Sequence, residues 1–165
     1  MTQERNAAFG DLGDLLDAHM DDIDELAPLA VPPTGHYTLQ FSMEKKENDG
    51  KEFLAAQFTV IGINSVKDED EVGEVKIGQQ FGDRTYTKTN AGDVNKVGIA
   101  ALKTRLMPFA IHLFGEGANP TFGDVIEKLQ GVEFTAGLVR TARKDKSGEV
   151  MEDSYNFRLK DIIVL

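Results

Sequence analysis

The chain contains no cysteine and no tryptophan among its 165 residues. Without thiols there is no disulfide and no thiolate metal site, and a reducing cytoplasm is the expected compartment. No run of eighteen apolar residues is present, so no membrane partner is expected. The N-terminus also lacks the basic-then-apolar pattern of a secretory signal. Catalytic signatures are equally scarce. There is no GxSxG elbow and no GxxxxGK[ST] phosphate loop. The three histidines, His19, His36 and His112, lie far apart and in no metal-binding spacing. The acidic run Asp68-Glu69-Asp70-Glu71 lacks the spacing and central glycine of a calcium loop, and reads as a solvated surface loop. A metal-dependent nuclease built on that run is the enzymatic alternative. The expectation is a protein that is not an enzyme and needs no cofactor or metal.

What the sequence does have is charge, unevenly placed. The formal net charge is −10. In residues 1–30, Glu4, Asp11, Asp14, Asp17, Asp21, Asp22, Asp24 and Glu25 stand against Arg5 alone, which leaves −7 there and only −3 on the rest. Towards the other end, Arg140, Arg143, Lys144, Lys146, Arg158 and Lys160 form a basic cluster. An acidic arm on a nearly balanced body with a basic edge suits a protein that handles polyanions, although a solubilising tail would look the same.

Periodicity divides the chain in two. Phe9, Leu12, Leu16, Ile23 and Leu26 recur on one helical face while aspartates fill the other, and Pro28, Pro32 and Pro33 follow. Residues 1–31 therefore read as an acidic amphipathic arm with a stiff proline-rich linker, and residues 32–165 as one domain. In the domain, Tyr37, Leu39, Phe41 and Met43 alternate with polar residues as a strand. Asn48-Asp49-Gly50 supplies a turn, and Leu54, Ala56, Phe58 and Val60 mark a second strand over Lys51–Ile61. Glu74–Lys88 reads as a third strand bent near Gly78 and Gly82.

The period then changes. Val94, Val97, Ala101, Leu102 and Leu106 predict a helix from Asp93, its N-cap, to about Leu106, with Pro108 kinking or ending it. A short helix over Val125–Gln130 has Thr121 and Asp124 in capping-box spacing and Gly131 as its stop. A hairpin closes the chain: Val132–Arg143, the basic turn Lys144–Gly148, and Glu149–Leu165. In the last strand the inward set Tyr155, Phe157, Leu159 shifts parity by Ile162 and Val164, which predicts a bulge. Three strands, a helical connection and a two-stranded hairpin are the order of a mainly β, five-stranded OB-fold-like barrel with a helical connection between strands 3 and 4.

In that fold an oligonucleotide crosses strands two and three and is gripped by the loops between strands one and two and between four and five. The expected DNA-binding residues are Lys45, Lys46 and Lys51 at the first loop, and Arg84, Tyr86 and Lys88 alternating along strand three. Arg140, Arg143, Lys144 and Lys146 belong to the last hairpin, with Arg158 and Lys160 on its return strand. Tyr86 is the favoured stacking ring, with Phe81 and Tyr155 as further candidates. Tyr155 is expected to be buried.

The segments Pro33-Thr34-Gly35-His36-Tyr37, Gly98-Ile99-Ala100-Ala101-Leu102-Lys103, Leu129-Gln130-Gly131-Val132-Glu133-Phe134 and Arg143-Lys144-Asp145-Lys146-Ser147-Gly148 carry a resemblance, in order and spacing from Val31 to Leu165. The chain resembles phage-encoded single-stranded DNA-binding proteins of the OB-fold type. That resemblance implies coating and protection of exposed single strands in replication, recombination or repair, in the cytoplasm of a host cell. In such proteins the acidic tail lies at the C-terminus, whereas here the acidic segment lies at the other end. Residues 9–26 are a candidate docking element for a replication or recombination protein, and self-association is a further expectation. The alternative function is a protein-interaction or virion-associated module that docks through the acidic helix.

Overall fold

A hairpin of two long strands carries the domain: β1 (Gly35–Asn48) and β2 (Lys51–Val66) pair antiparallel, with Asn48 opposite Lys51. The two turn residues, Asp49 (φ 52°) and Gly50 (φ 77°), both have positive φ, as a type I′ turn requires. The computed structural model describes residues 12–17, 19 and 30–165. Of the acidic arm, Leu12–Asp17 forms helix α1 and leaves Leu16 exposed. Residues 1–11, 18 and 20–29 of the arm lie outside the described residues, Phe9, Ile23, Leu26 and Pro28 included.

β3 (Gln80–Tyr86) pairs with β2, while β4 (Val132–Lys144) pairs with the other side of β1 and β5 (Val150–Val164) pairs with β4. The result is a mainly β, five-stranded antiparallel sheet of order β3-β2-β1-β4-β5. Its edges, β3 and β5, do not pair, so the sheet is open and is not closed into the expected OB-fold-like barrel. Side chains hold the edges instead: Phe81 of β3 and Phe157 of β5 meet edge to face at 5.0 Å.

Two helices separate β3 from β4. The first, α2 (Lys96–Phe114), is longer than its periodicity predicts, running through Pro108. Its N-cap is Asn95, not Asp93: the Asn95 side chain accepts from the Gly98 N–H at 3.1 Å and donates to the Tyr86 carbonyl at 2.9 Å. By length and composition α2 could cross a bilayer, an outcome the missing apolar run did not suggest. In this fold Leu102, Leu106 and Phe109 are sunk in the core, and Arg105 makes a bidentate ion pair with Asp83 of β3, both bonds 2.8 Å. The second helix, α3 (Phe122–Leu129), has the predicted capping box, with both reciprocal bonds between Thr121 and Asp124 made.

The core lies on one face of the sheet under α2. Phe41 of β1 stacks on Phe58 at 4.6 Å and meets Phe109 edge-on at 5.0 Å, and Phe134 closes against Phe109 at 5.0 Å. Such aromatic pairs add about 0.5–1.5 kcal/mol each beyond the area they bury. The predicted bulge in the last strand is present. Thr135 opposes Ile163 but Gly137 opposes Lys160, and Asp161 takes a positive φ of 52° to absorb the extra residue.

The stretch read as a linker belongs to the domain from Ala30 onward. Ala30 N–H donates to the Gln80 carbonyl (3.0 Å), its own carbonyl accepts from the buried Gln79 amide (2.7 Å), and Pro32 and Pro33 are fully buried. The third strand is shorter than expected because Gly78 turns the chain (φ 90°) before Gln80. The acidic run forms a 3-10 turn, Glu69–Glu74, capped by the Asp68 carboxylate.

Two predictions concern stability. Tyr37 is fully buried and donates to the Pro33 carbonyl at 2.6 Å. Burial pushes its hydroxyl from near 10 up to about 12, although the positive charge of Arg140 pulls the other way. Because the raised value favours the neutral form in the fold, that stability is intact below pH ~10 and lost as pH rises towards 12, about 3 kcal/mol in all. Urea melts of wild-type and Tyr37→Phe chains should show the wild-type advantage shrinking through that window. A constant difference counts against the assignment. The second concerns Gln130, just before β4, whose side chain stands in for a strand residue. It accepts from Met43 N–H (3.2 Å) and donates to Met43 C=O (2.5 Å), extending β1's pairing beyond Val132. Gln130→Ala should cost about 1–3 kcal/mol by orphaning both groups, measured by the same melts.

Candidate nucleic-acid interface

Side chains alternate across a sheet, so once Phe81 and Phe58 face the core, the alternate residues of β2 and β3 face outward. On β3 these are Gly82, Arg84 and Tyr86; on β2 they include Phe53, Ala55 and Gln57. Phe53 sits opposite Tyr86 with ring centroids 5.2 Å apart, and the Arg84 guanidinium lies 4.9 Å over the Phe53 ring. Phe53 is only 4% exposed although it points away from the core, because these neighbours cover it. Tyr86 remains half-buried and Arg84 exposed. The Asn95 bond to the Tyr86 carbonyl fixes the end of β3, and so holds the backbone that carries this ring.

Three depressions meet around the Arg84–Phe53–Tyr86 stack. One lies on the outer face, floored by Ala55 and Gly82 and bounded by Ser42, Lys46, Gln57 and Arg84. Gly82 is a packing requirement there: a Cβ would sit 1.9 Å from the Ala56 carbonyl oxygen. The second lies towards the β1–β2 turn, between Lys51, Tyr86, Lys88 and Asn90, and Lys51 donates to the Asn90 side chain at 3.3 Å. The third opens in the seam between the unpaired edges, lined by Asp83, Arg84, Arg143, Tyr155, Asn156 and Phe157. Arg84 borders the first and third, so those two are continuous.

The fold thus brings together Lys46, Lys51, Arg84, Tyr86, Lys88 and Arg143. Lys46 also pairs with Glu44 at 3.0 Å, an exposed contact of small energetic weight. It separates the others. Lys45 falls on the opposite face of the hairpin from Lys46 and pairs with Glu52 at 3.7 Å. Lys144 and Lys146 sit at the tip of the β4–β5 hairpin. There Asp145 ties the turn, its carboxyl held low by the Ser147 hydroxyl first and then by backbone N–H groups. Arg158 and Lys160 point outward from β5 opposite Val139 and Gly137, and the Lys160 stem lies against Gly137. Phe81 is a core residue, 3% exposed, and offers no stacking face. Tyr155 is half-buried rather than fully covered.

Arg140 needs a different reading from phosphate contact. Its side chain is 9% exposed, ion-paired with Glu71 and, at 3.5 Å, with Glu74, and it donates to the Val31 carbonyl. Its guanidinium lies 4.1 Å from the Tyr155 ring centre. One member of the acidic run Asp68–Glu71, Glu71, is therefore committed to Arg140. Among the described residues no cluster of three acidic or histidine side chains could hold a metal.

Sequence reasoning missed Phe53 and Asn156. Phe53 had a signal: it falls out of phase with Leu54, Ala56 and Phe58, so parity places an aromatic on the outer face. Asn156 had none, since its place in the seam depends on how two distant edges meet.

If Arg140 is a clamp, Arg140→Ala should destabilise the fold by about 1–3 kcal/mol by leaving the partly buried Glu71 carboxylate and the Val31 carbonyl unmatched. A melt unchanged from wild type would return Arg140 to the list of free cations. Compared with protein-family models and with curated proteins, the chain matches none.

Proposed function

We propose that the protein binds single-stranded DNA with little sequence preference and protects it during replication, recombination or repair. The observation that carries this reading is the half-buried Tyr86 ring on the outer face of β3, backed by the covered Phe53 and beside the exposed Arg84, with Lys46 on one side and Lys51 and Lys88 on the other. An open aromatic ring in a cationic groove suits unpaired bases, because every base has a π face and every nucleotide a phosphate. The strand order supports an OB-type fold opened along one seam, since OB folds are partly open five-stranded Greek-key barrels whose second and third strands face the ligand. The resemblance to phage single-stranded DNA-binding proteins points the same way. On this reading the acidic segment, residues 9–26, recruits a partner of the replication or recombination machinery, and copies of the chain self-associate on a strand.

Fluorescence anisotropy of labelled oligo-dT, titrated with the full chain, tests the reading. Affinity should fall steeply between about 50 and 200 mM salt as condensed counterions are released. Tyr86→Ala should cost roughly 1–3 kcal/mol of binding with little change in salt slope. Arg84→Ala should weaken binding and lower the slope by about 1. A wild-type chain that binds no oligonucleotide at low salt defeats the proposal and leaves the protein-docking module working through residues 9–26.

A further inference from the structure

The open seam between β3 and β5 holds a cavity of about 440 Å³ whose lining is not that of a packing defect. Two arginines from different elements, Arg84 of β3 and Arg143 of β4, reach it together with Tyr155, Asn156 and Phe157 of β5; Asp83 also lines it, its carboxylate taken up by the bidentate pair with Arg105. Neither Arg84 nor Arg143 makes an ion pair among the described residues, whereas Arg105 and Arg140 nearby are both matched to carboxylates. That pair of like charges, unmatched among the described residues, makes the opening a place for an anion. The facing strand edges also leave backbone N–H and C=O groups without ladder partners, which can bond the polar edge of a ring.

Tyr155 supplies the third element. Its ring is backed by the Arg140 guanidinium at 4.1 Å, and Arg140 is in turn held by Glu71 and Glu74. The ring is thereby fixed from behind, beside the cavity, and Asn156 adds an exposed amide at the same edge.

We propose that this seam is a nucleotide subsite, in which one base of a single strand stacks on Tyr155 and its flanking phosphates are held by Arg84 and Arg143. The proposal rests on the nucleic-acid reading above and extends it from the outer face of β2 and β3 across the open edge. Arg140 is a positioning residue in it, acting through Tyr155. The strand leaves the Tyr86 platform past Arg84, crosses the seam and continues towards the β4–β5 hairpin.

The chain's tyrosines give a direct readout. There are three; Tyr37 is fully buried and bonded to Pro33, out of reach of a ligand. In a full-length Tyr86→Phe chain, oligo-dT should therefore still quench tyrosine emission, through Tyr155, and the quenching should vanish in Tyr86→Phe/Tyr155→Phe. Arg143→Ala and Asn156→Ala, both exposed positions, should weaken oligo-dT binding in anisotropy, Arg143→Ala with a lower salt slope. Tyr155→Leu should weaken it by roughly 5- to 100-fold, and Tyr155→Phe should bind nearly as wild type because the ring remains. If Tyr86→Phe alone abolishes quenching while the oligonucleotide still binds, and Arg143→Ala and Asn156→Ala match wild type, the seam subsite is overturned and the outer-face reading stands. If the wild-type chain binds no oligonucleotide, both fall.

Discussion

The bidentate ion pair between Arg105 and Asp83 decides how the sheet ends. It ties α2 to β3, and the same guanidinium lies 5.7 Å from the ring centres of both Phe58 and Phe157. The helix is thereby held against both edges at once, and the seam is filled from below by a charged head and two rings rather than by a backbone ladder. A partly exposed, two-point Arg–carboxylate pair fixes geometry as well as energy, because the planar fork accepts only one orientation of its partner. Everything proposed for the surface above it depends on that placement: β3 keeps its outward set, Gly82, Arg84 and Tyr86, in one defined relation to β5.

Charge in this molecule is sorted by what lies opposite it rather than by where it falls in the chain. Arg140 and Arg143 are three residues apart on β4, yet one is enclosed by Glu71 and Glu74 while the other opens onto the seam. The acidic 3-10 turn, distant in sequence, neutralises the cation nearest the core and leaves the outer ones available. Local removal of one positive charge from a basic edge keeps that edge from becoming a diffuse attractor and confines its field to a groove.

Much of this was legible beforehand. Strand identity followed from alternation in Tyr37–Met43 and Leu54–Val60, the β5 bulge from the parity shift at Ile162, and the capping box from Thr121 and Asp124, because these signals are local. The limits of α2 were less so: Asn95 outcompetes Asp93 as cap by also reaching the Tyr86 carbonyl, and Pro108 is carried by a helix whose packing on the core outweighs one lost hydrogen bond. The open seam, the burial of Arg140 and the covering of Phe53 were not legible, since each is a contact between segments far apart in sequence. A list of cations cannot show which ones already have a partner.

The burial of Pro32 and Pro33, with Ala30 bonded to both Gln79 and Gln80 and Val31 packed on the core, sets where the domain begins as a mechanical object. Periodicity and the prolines place the cut between arm and body at residue 31. A chain trimmed there loses a short clasp that lies across the start of β3 and offers a carbonyl to Arg140. Any comparison of the body with and without its acidic end must keep that clasp. Otherwise a loosened sheet edge will be mistaken for the effect of the missing aspartates.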